Sequence, residues 1–494
     1  MKTNQYVIAL PLLLGIAFDW LFWNKIPGIS FAIFTALCLL CGYLLLRSQN
    51  IRPARMSLLL LVPILFFSVM SFVRREPFTV LLDYALTLAC LAILAVTYRS
   101  GLWPSFGIVD YLLNFLRLAA SMFTAGWQQL AVPSEKTTPG QRASKFWPVL
   151  RGLLLAIPIL LIFGALLSSA DLIFAQKIND LLANFNPQKL GEIIFRVFYV
   201  LLAAYLLFGV FNHAASRSQA ADLVARGKPL LKPFLGYTEA AIILGGILLL
   251  FGAFVVIQFQ YFFSGQANIN LDGFTYSEYA RRGFGELLAV AALSLLVFLG
   301  LGTITRRTTN SQQKGFSAMG IGLVALVLVI LVSAFQRLSL YEAAYGFSRL
   351  RAYAHVFIIW LGVLLVAVVV MEVFRRQRAL ATVALLILLG FVASLNLLNV
   401  DGFIAHQNVQ RAMQGSPLDG DYLATLSTDT VPALLESFAL PSLSPVLKDD
   451  LGAVLAAYRQ NLEDRSSRLA AWQSFNLSDW NAARQIQKVQ GSIQ

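Results

Sequence analysis

Charge is scarce in this chain. Only 13% of its 494 residues are Asp, Glu, Lys or Arg, while apolar types make up 58%. An average soluble protein carries roughly 25% charged residues, so a large soluble α/β protein is excluded. Cysteine is nearly absent: Cys38, Cys41 and Cys90 are the three present. None falls in the C-terminal part, which therefore has no disulfide framework. Cys38 and Cys41 form a C-x-x-C, but Leu39 and Leu40 lie between them inside an apolar run. A redox motif needs a thiolate stabilised at a helix start, and zinc needs further ligands. The pair reads as packing. The three histidines, His213, His355 and His406, are scattered and look unlike a metal site. There is no P-loop, H-E-x-x-H, G-x-S-x-G or dinucleotide fingerprint. No cofactor, no metal and no catalytic residue is expected from motifs.

What the chain has in abundance is long apolar runs. The mean hydropathy is +0.71. A membrane span needs about 20 apolar residues, because a helix rises about 1.5 Å per residue through about 30 Å of hydrocarbon. Eleven stretches qualify: roughly 5–23, 28–46, 56–74, 78–98, 148–170, 191–212, 236–260, 283–303, 317–336, 352–373 and 379–399. The first is too long for the core of a signal peptide and no small-residue cleavage site follows, so it is expected to stay as a span. In lipid each segment must pair its own backbone groups, which selects helices.

The expected fold class is all-α: a polytopic helical membrane bundle of about eleven transmembrane helices with a small C-terminal all-helical soluble domain. The expected division is 1–130 for four spans plus an interfacial amphipathic helix, 131–147 for a cytoplasmic linker with Pro133, Pro139 and Gly140, 148–400 for seven spans, and 401–494 for the helical domain. In that domain Ser444-Pro445 reads as an N-cap and first-turn proline. Leu447, Leu451, Val454, Leu455, Tyr458 and Leu462 then recur at helical spacing. Ser478 is expected to cap a final helix. These apolar faces need each other or the membrane bundle, because so short a segment buries only a modest core.

The net charge of +13 has a topological reading rather than a nucleic-acid one. Lys and Arg are retained on the cytoplasmic side. With the N-terminus inside, the cytoplasmic loops hold Arg47, Arg52, Arg55, Arg99, Arg217, Arg306, Arg307, Arg375 and Arg376, and the opposite loops hold fewer. An odd number of spans then places the C-terminal domain outside the cell, in the periplasm if the cell is Gram-negative. The bilayer is one expected partner, and envelope proteins meeting 401–494 are another. Nucleic acid is not expected.

Three polar, aromatic-rich segments fall on that same outer side. The first carries Tyr276, Glu278, Tyr279, Arg281 and Arg282. Glu278 and Arg282 lie one helical turn apart in the favourable order. An interfacial aromatic belt with snorkelling arginines competes there with a fixed ion pair. The second carries Arg337, Tyr341, Glu342 and Tyr345, then Gly346 as a break, then Arg349 and Arg351. Arginines on the wrong side of the membrane need a partner, and Glu342 is the nearest acidic residue in sequence. The third carries Asp401, Asn408 and Asp419, then Asp429 and Thr430 as candidate caps. Asp401 and Asp419 could hold a cation, although their spacing fits no EF-hand. Inside the spans, Asp83 is the foremost ionisable residue and a candidate for proton or ion coupling.

The runs Tyr-Ala-Arg-Arg-Gly-Phe (279–284), Arg-Leu-Ser-Leu-Tyr-Glu-Ala-Ala-Tyr-Gly (337–346) and Leu-Ser-Thr-Asp-Thr-Val-Pro-Ala-Leu (426–434) resemble a bacterial membrane family, domain of unknown function 4173, with its related 4153 group. The resemblance covers roughly residues 150–440. Phe347 and Ser348 depart from the Leu/Thr-like pair expected there. It implies a multi-span envelope protein and supplies no activity. An envelope scaffold, sensor or assembly factor is therefore the leading expectation. A secondary transporter follows, and a membrane enzyme using Glu278, Glu342 or Asp401 comes third.

Overall fold

The computed structural model describes residues 3–131, 187–219, 233–263, 284–468 and 471–489, with scattered positions between 156 and 177. The expected span 148–170 lies largely outside the described residues. The elements in chain order are α1 (Thr3–Phe22), α2 (Ile29–Ser48), α3 (Arg55–Leu58), α4 (Leu61–Val73), α5 (Pro77–Thr97), α6 (Ile108–Ala131), α7 (Pro187–Ser216), α8 (Tyr237–Phe263), α9 (Phe284–Ile304), α10 (Asn310–Tyr345), α11 (Arg349–Val373) and α12 (Leu380–Leu398). Then come α13 (Val400–Met413), α14 (Gly420–Thr425), α15 (Val431–Phe438), α16 (Pro445–Arg468) and α17 (Leu477–Val489).

The protein is an integral membrane protein built as a polytopic helical bundle. Among the described residues, nine helices are long and apolar enough to cross a membrane, and α1 carries a shorter apolar helix, Val7–Phe22. Their outer faces present Ile242, Leu249, Leu293 and Leu296 unburied, as a lipid-facing surface requires. α3 and α4 together make one span, Arg55–Val73. The break between them has a local cause. Pro63 has no N–H and its ring displaces the carbonyl four residues earlier, and the chain answers with tighter three-residue bonds, Leu59 N to Met56 O and Val62 N to Leu59 O. α6 is amphipathic and lies across α7, with Gly209 of α7 admitting the backbone at Met122.

Two packed groups form. α8, α9, α10 and α11 share one apolar core around Leu244, Phe298, Phe316 and Leu331. α1, α2, α4, α5, α6 and α7 share another around Leu14, Ile64, Ile93 and Phe211. α12 joins them: Val392 packs with Phe67 and Leu86, while Trp360 of α11 donates to Ser394 Oγ at 3.1 Å across Gly390.

The C-terminal helices sit on one end of this bundle. Their core of Ile404, Leu423, Leu434 and Leu455 is continuous with Ala352 and Leu395 at the ends of α11 and α12. The joint is Asn399, in the left-handed conformation at φ 52, which ends α12 and starts α13 without an intervening loop. Ser444 caps α16 as expected, accepting from Leu447 N at 3.3 Å. The last helix is capped differently: Asn476, not Ser478, accepts from Ser478 N and Asp479 N.

Candidate functional site: a polar hub and basic cleft where the C-terminal helices meet the bundle

The turn between α4 and α5 reads Arg74-Arg75-Glu76-Pro77. Proline at the first helical position starts α5. Glu76 caps it, accepting from Phe78 N at 2.9 Å and Thr79 N at 2.7 Å. The same turn is gripped from the C-terminal unit. Asp429 Oδ2 accepts from Arg75 N at 2.7 Å and Glu76 N at 3.1 Å, and Asn476 donates to Arg74 O at 2.9 Å. Asp429 thus holds the turn that leads into α5 from across the molecule. Burial pushes its carboxyl upward, against the pull of the donating Arg75 amide.

Arg349 is the second anchor. Gly346, at φ +83, ends α10, and α11 begins at Arg349. A cation at a helix N-terminus is disfavoured by the helix dipole, so the guanidinium needs a carboxylate. Asp401 supplies it as a fork: Nε at 2.8 Å from Oδ1 and Nη2 at 2.6 Å from Oδ2. Asp401 is fully buried, sits in the first turn of α13, and also accepts from Ser427 N at 2.7 Å. Glu76 Oε1 stands 4.0 Å from Arg349 Nε, and Tyr422 Oη accepts from Arg349 N at 3.0 Å. With both oxygens engaged by protein, Asp401 is a structural anion rather than a cation ligand. Asp419 caps α14 through Tyr422 N at 2.9 Å.

The hub opens into a cleft of about 470 Å³ whose walls include Arg74, Arg75, Arg349, Arg465, Tyr84 and Asn461. Their carboxylates stand to the side: Asp479 lies 3.4 Å from Arg75 and 3.7 Å from Arg465. Arg74 Nε donates to Asn396 O at 2.8 Å. The side chain of the same Asn396 donates from Nδ2 to Asp83 Oδ1 at 2.7 Å. Asp83 is fully buried, and its Oδ2 and Asn396 Oδ1 have no hydrogen-bond partner among the described residues.

The remaining expected residues divide. Asn408 clamps Phe347, accepting from its N at 2.8 Å and donating to its O at 3.0 Å. Tyr341 and Tyr345 meet edge to face at 5.0 Å, with the Arg351 guanidinium 4.1 Å above Tyr341. Glu342 pairs with His355 and not with Arg349. Arg337 lies on α10 and has no part in the hub bonds given above. Tyr276, Glu278, Tyr279, Arg281 and Arg282 lie outside the described residues. Among the described residues, no group of His, Cys, Asp or Glu could hold a metal. The residues that sequence reading missed are Glu76 and Asp429 as hub members, and Ser339 and His355. The first two had a signal: a charged turn squeezed between two apolar spans must find partners for its arginines.

The fold and this hub define a multi-pass helical membrane protein with a C-terminal helical unit fixed to one end. A family model described as "Domain of unknown function (DUF4153)" matches residues 61–437, and the chain belongs to that family. The match opens earlier than the resemblance implied, at the start of α4, so it takes in Arg74, Glu76 and Asp83 along with Arg349, Asp401 and Asp429. No curated protein and no solved structure matches the chain.

Proposed function

We propose that this protein is an envelope sensor or scaffold that binds an anionic, phosphate-bearing envelope component in the cleft between the bundle and its C-terminal unit. One observation carries the reading: four arginines, Arg74, Arg75, Arg349 and Arg465, line one cavity of about 470 Å³. Arg presents a planar fork that matches phosphate oxygens two at a time. The cavity size suits a ligand headgroup. Its place at the ends of α4, α5 and α11 favours a component anchored in the bilayer.

The cleft is assigned to the extracytoplasmic side. The opposite end of the bundle carries Arg47, Arg52, Arg55, Arg99, Arg306, Arg307, Arg375 and Arg376, the bias that retains loops in the cytoplasm.

The test is native mass spectrometry of the full chain released from membranes. The wild type retains an anionic phospholipid or lipid-linked phosphate, and the triple variant Arg74→Gln, Arg75→Gln, Arg465→Gln loses it while keeping its helical content. Equal retention by both proteins contradicts the proposal.

A second reading, a proton-coupled permease, is favoured by the burial of Asp83 in α5 with one oxygen unpartnered among the described residues. Substrate uptake that survives Asp83→Asn unchanged would end that reading.

A further inference from the structure

A second, smaller constellation lies on the same end of the bundle, on the side of α10 and α11 away from the cleft. Ser339 and Glu342 are three residues apart on α10, so both project over one face. His355 of α11 reaches between them. Its Nε2 is 3.2 Å from Ser339 Oγ and its Nδ1 is 3.2 Å from Glu342 Oε1. Burial is graded along the line: Ser339 is exposed, the His355 side chain is 17% accessible and that of Glu342 4%. All three border a slot of about 470 Å³ whose lining also includes Phe335, Val356, Ile359, Leu398, Phe403 and Arg411.

We propose that Ser339, His355 and Glu342 form a nucleophile–base–acid relay for acyl transfer, and that the substrate is a long-chain acyl ester entering from the bilayer. The arrangement has the parts such chemistry needs. The nucleophile is within hydrogen-bond reach of a base, and the base is oriented by a third group. The acid is buried, so it fixes the imidazole through Nδ1–H and stabilises the imidazolium when it forms. The slot is apolar and takes a hydrocarbon chain. Ser339 Oγ now donates to Phe335 O at 3.0 Å, the bond a helical serine makes to its own preceding turn. His355 Nε2 is already in range, so only the hydroxyl hydrogen has to turn for the base to receive it.

The reaction balances without a cofactor. Ser339 Oγ bonds to the ester carbonyl carbon as its proton passes to His355 Nε2. The carbonyl oxygen takes the negative charge; Arg411 is the arginine in the slot lining, its guanidinium held by Ala343 O and Ala344 O. The ester C–O bond then breaks, and Nε2 returns the proton to the departing alcohol oxygen. Water gives a proton to the same His355 Nε2 as its oxygen bonds to the acyl-serine carbonyl carbon; the bond from that carbon to Ser339 Oγ then breaks, Nε2 returns the proton to Oγ, and a free carboxylic acid leaves.

This linkage spans a helix break: Glu342 and Ser339 precede Gly346, and His355 follows it. No short motif announces it, and folding α10 against α11 is what assembles it.

The experiment is labelling of the full chain in native membranes with a long-chain alkyl fluorophosphonate, followed by peptide mapping. The wild type is expected to carry the adduct on Ser339. Ser339→Ala, a change at an exposed position, should carry none. His355→Gln should label at least about 100-fold more slowly, the lower end of what a general base contributes. Glu342→Gln should retain the fold and label more slowly than the wild type. A folded wild type that stays unlabelled, or an adduct on any other residue, overturns the proposal. So does a His355→Gln protein that labels at the wild-type rate.

Discussion

Asp83 can be tested by asking what its neighbour Asn396 requires. The two side chains face each other fully buried between α5 and α12. One hydrogen bond joins them, from Asn396 Nδ2 to Asp83 Oδ1 at 2.7 Å. The other two oxygens, Asp83 Oδ2 and Asn396 Oδ1, have no partner among the described residues. A single proton on Asp83 Oδ2, donated to Asn396 Oδ1, would close the ring and satisfy both. The pair is then a neutral acid–amide couple. Asp83→Asn replaces the O–H donor by an N–H donor and keeps both bonds. Interhelical polar contacts in membranes average about 0.6 kcal/mol, so this variant should stay within about 1 kcal/mol of the wild type. Asp83→Leu leaves the Asn396 amide orphaned in an apolar interior and should cost about 1–3 kcal/mol. Equilibrium unfolding by SDS titration in mixed micelles, followed by circular dichroism, measures both. If Asp83→Asn proves as damaging as Asp83→Leu, the neutral pair is wrong. A carboxylate held ionised by the hub would then be the better description, because removing one charge of a buried pair costs about 3–5 kcal/mol.

The Arg349–Asp401 fork should be the strongest single tie between bundle and C-terminal unit. Asp401→Asn leaves a guanidinium that is about a quarter exposed (27%) and should cost about 2–3 kcal/mol, below the full penalty for a broken buried pair; limited proteolysis after Leu398 should rise in parallel. Arg349→Lys should fail to restore the tie, since an ammonium cannot reproduce the two parallel bonds. Tyr458 donates to Leu423 O at 2.7 Å, and burial pushes its hydroxyl up to about 12, from an ordinary value of about 10. The folded state therefore holds this proton more tightly than the unfolded chain. The stability it contributes is complete below about pH 10 and is lost as the pH rises through about 12. Tyr458→Phe should flatten that alkaline limb in a pH series of thermal melts; an unchanged slope would remove Tyr458 as its source.

The spans were legible because the physics that makes them is local. A run of about 20 apolar residues is a membrane helix wherever it falls, and every expected span among the described residues coincides with a helix. The Pro63 break and the Ser444 cap are equally local, and Pro63 acts within one turn. The bonding of the site was not legible. Arg349 and Asp401 share an ion pair and Asn408 clamps Phe347, while Asp419 caps its own short helix. Arg349 takes Asp401, 52 positions away, over the nearer Glu342. Asp429 crosses to a turn more than 350 positions earlier, 354 from Arg75. Such choices depend on how α5, α11 and α13 pack, which no periodicity encodes. Glu342 was free to pair elsewhere because Gly346 reverses the chain and brings His355 over it.

The cleft can be tested most directly by cryo-electron microscopy of the full chain extracted together with its native lipids. The account predicts compact, phosphate-sized density in contact with Arg74, Arg75, Arg349 and Arg465, continuing into an acyl or isoprenoid tail along the bundle. A map in which the cleft is empty, with Asp401 and Asp479 as the sole partners of Arg349, Arg75 and Arg465, would contradict it.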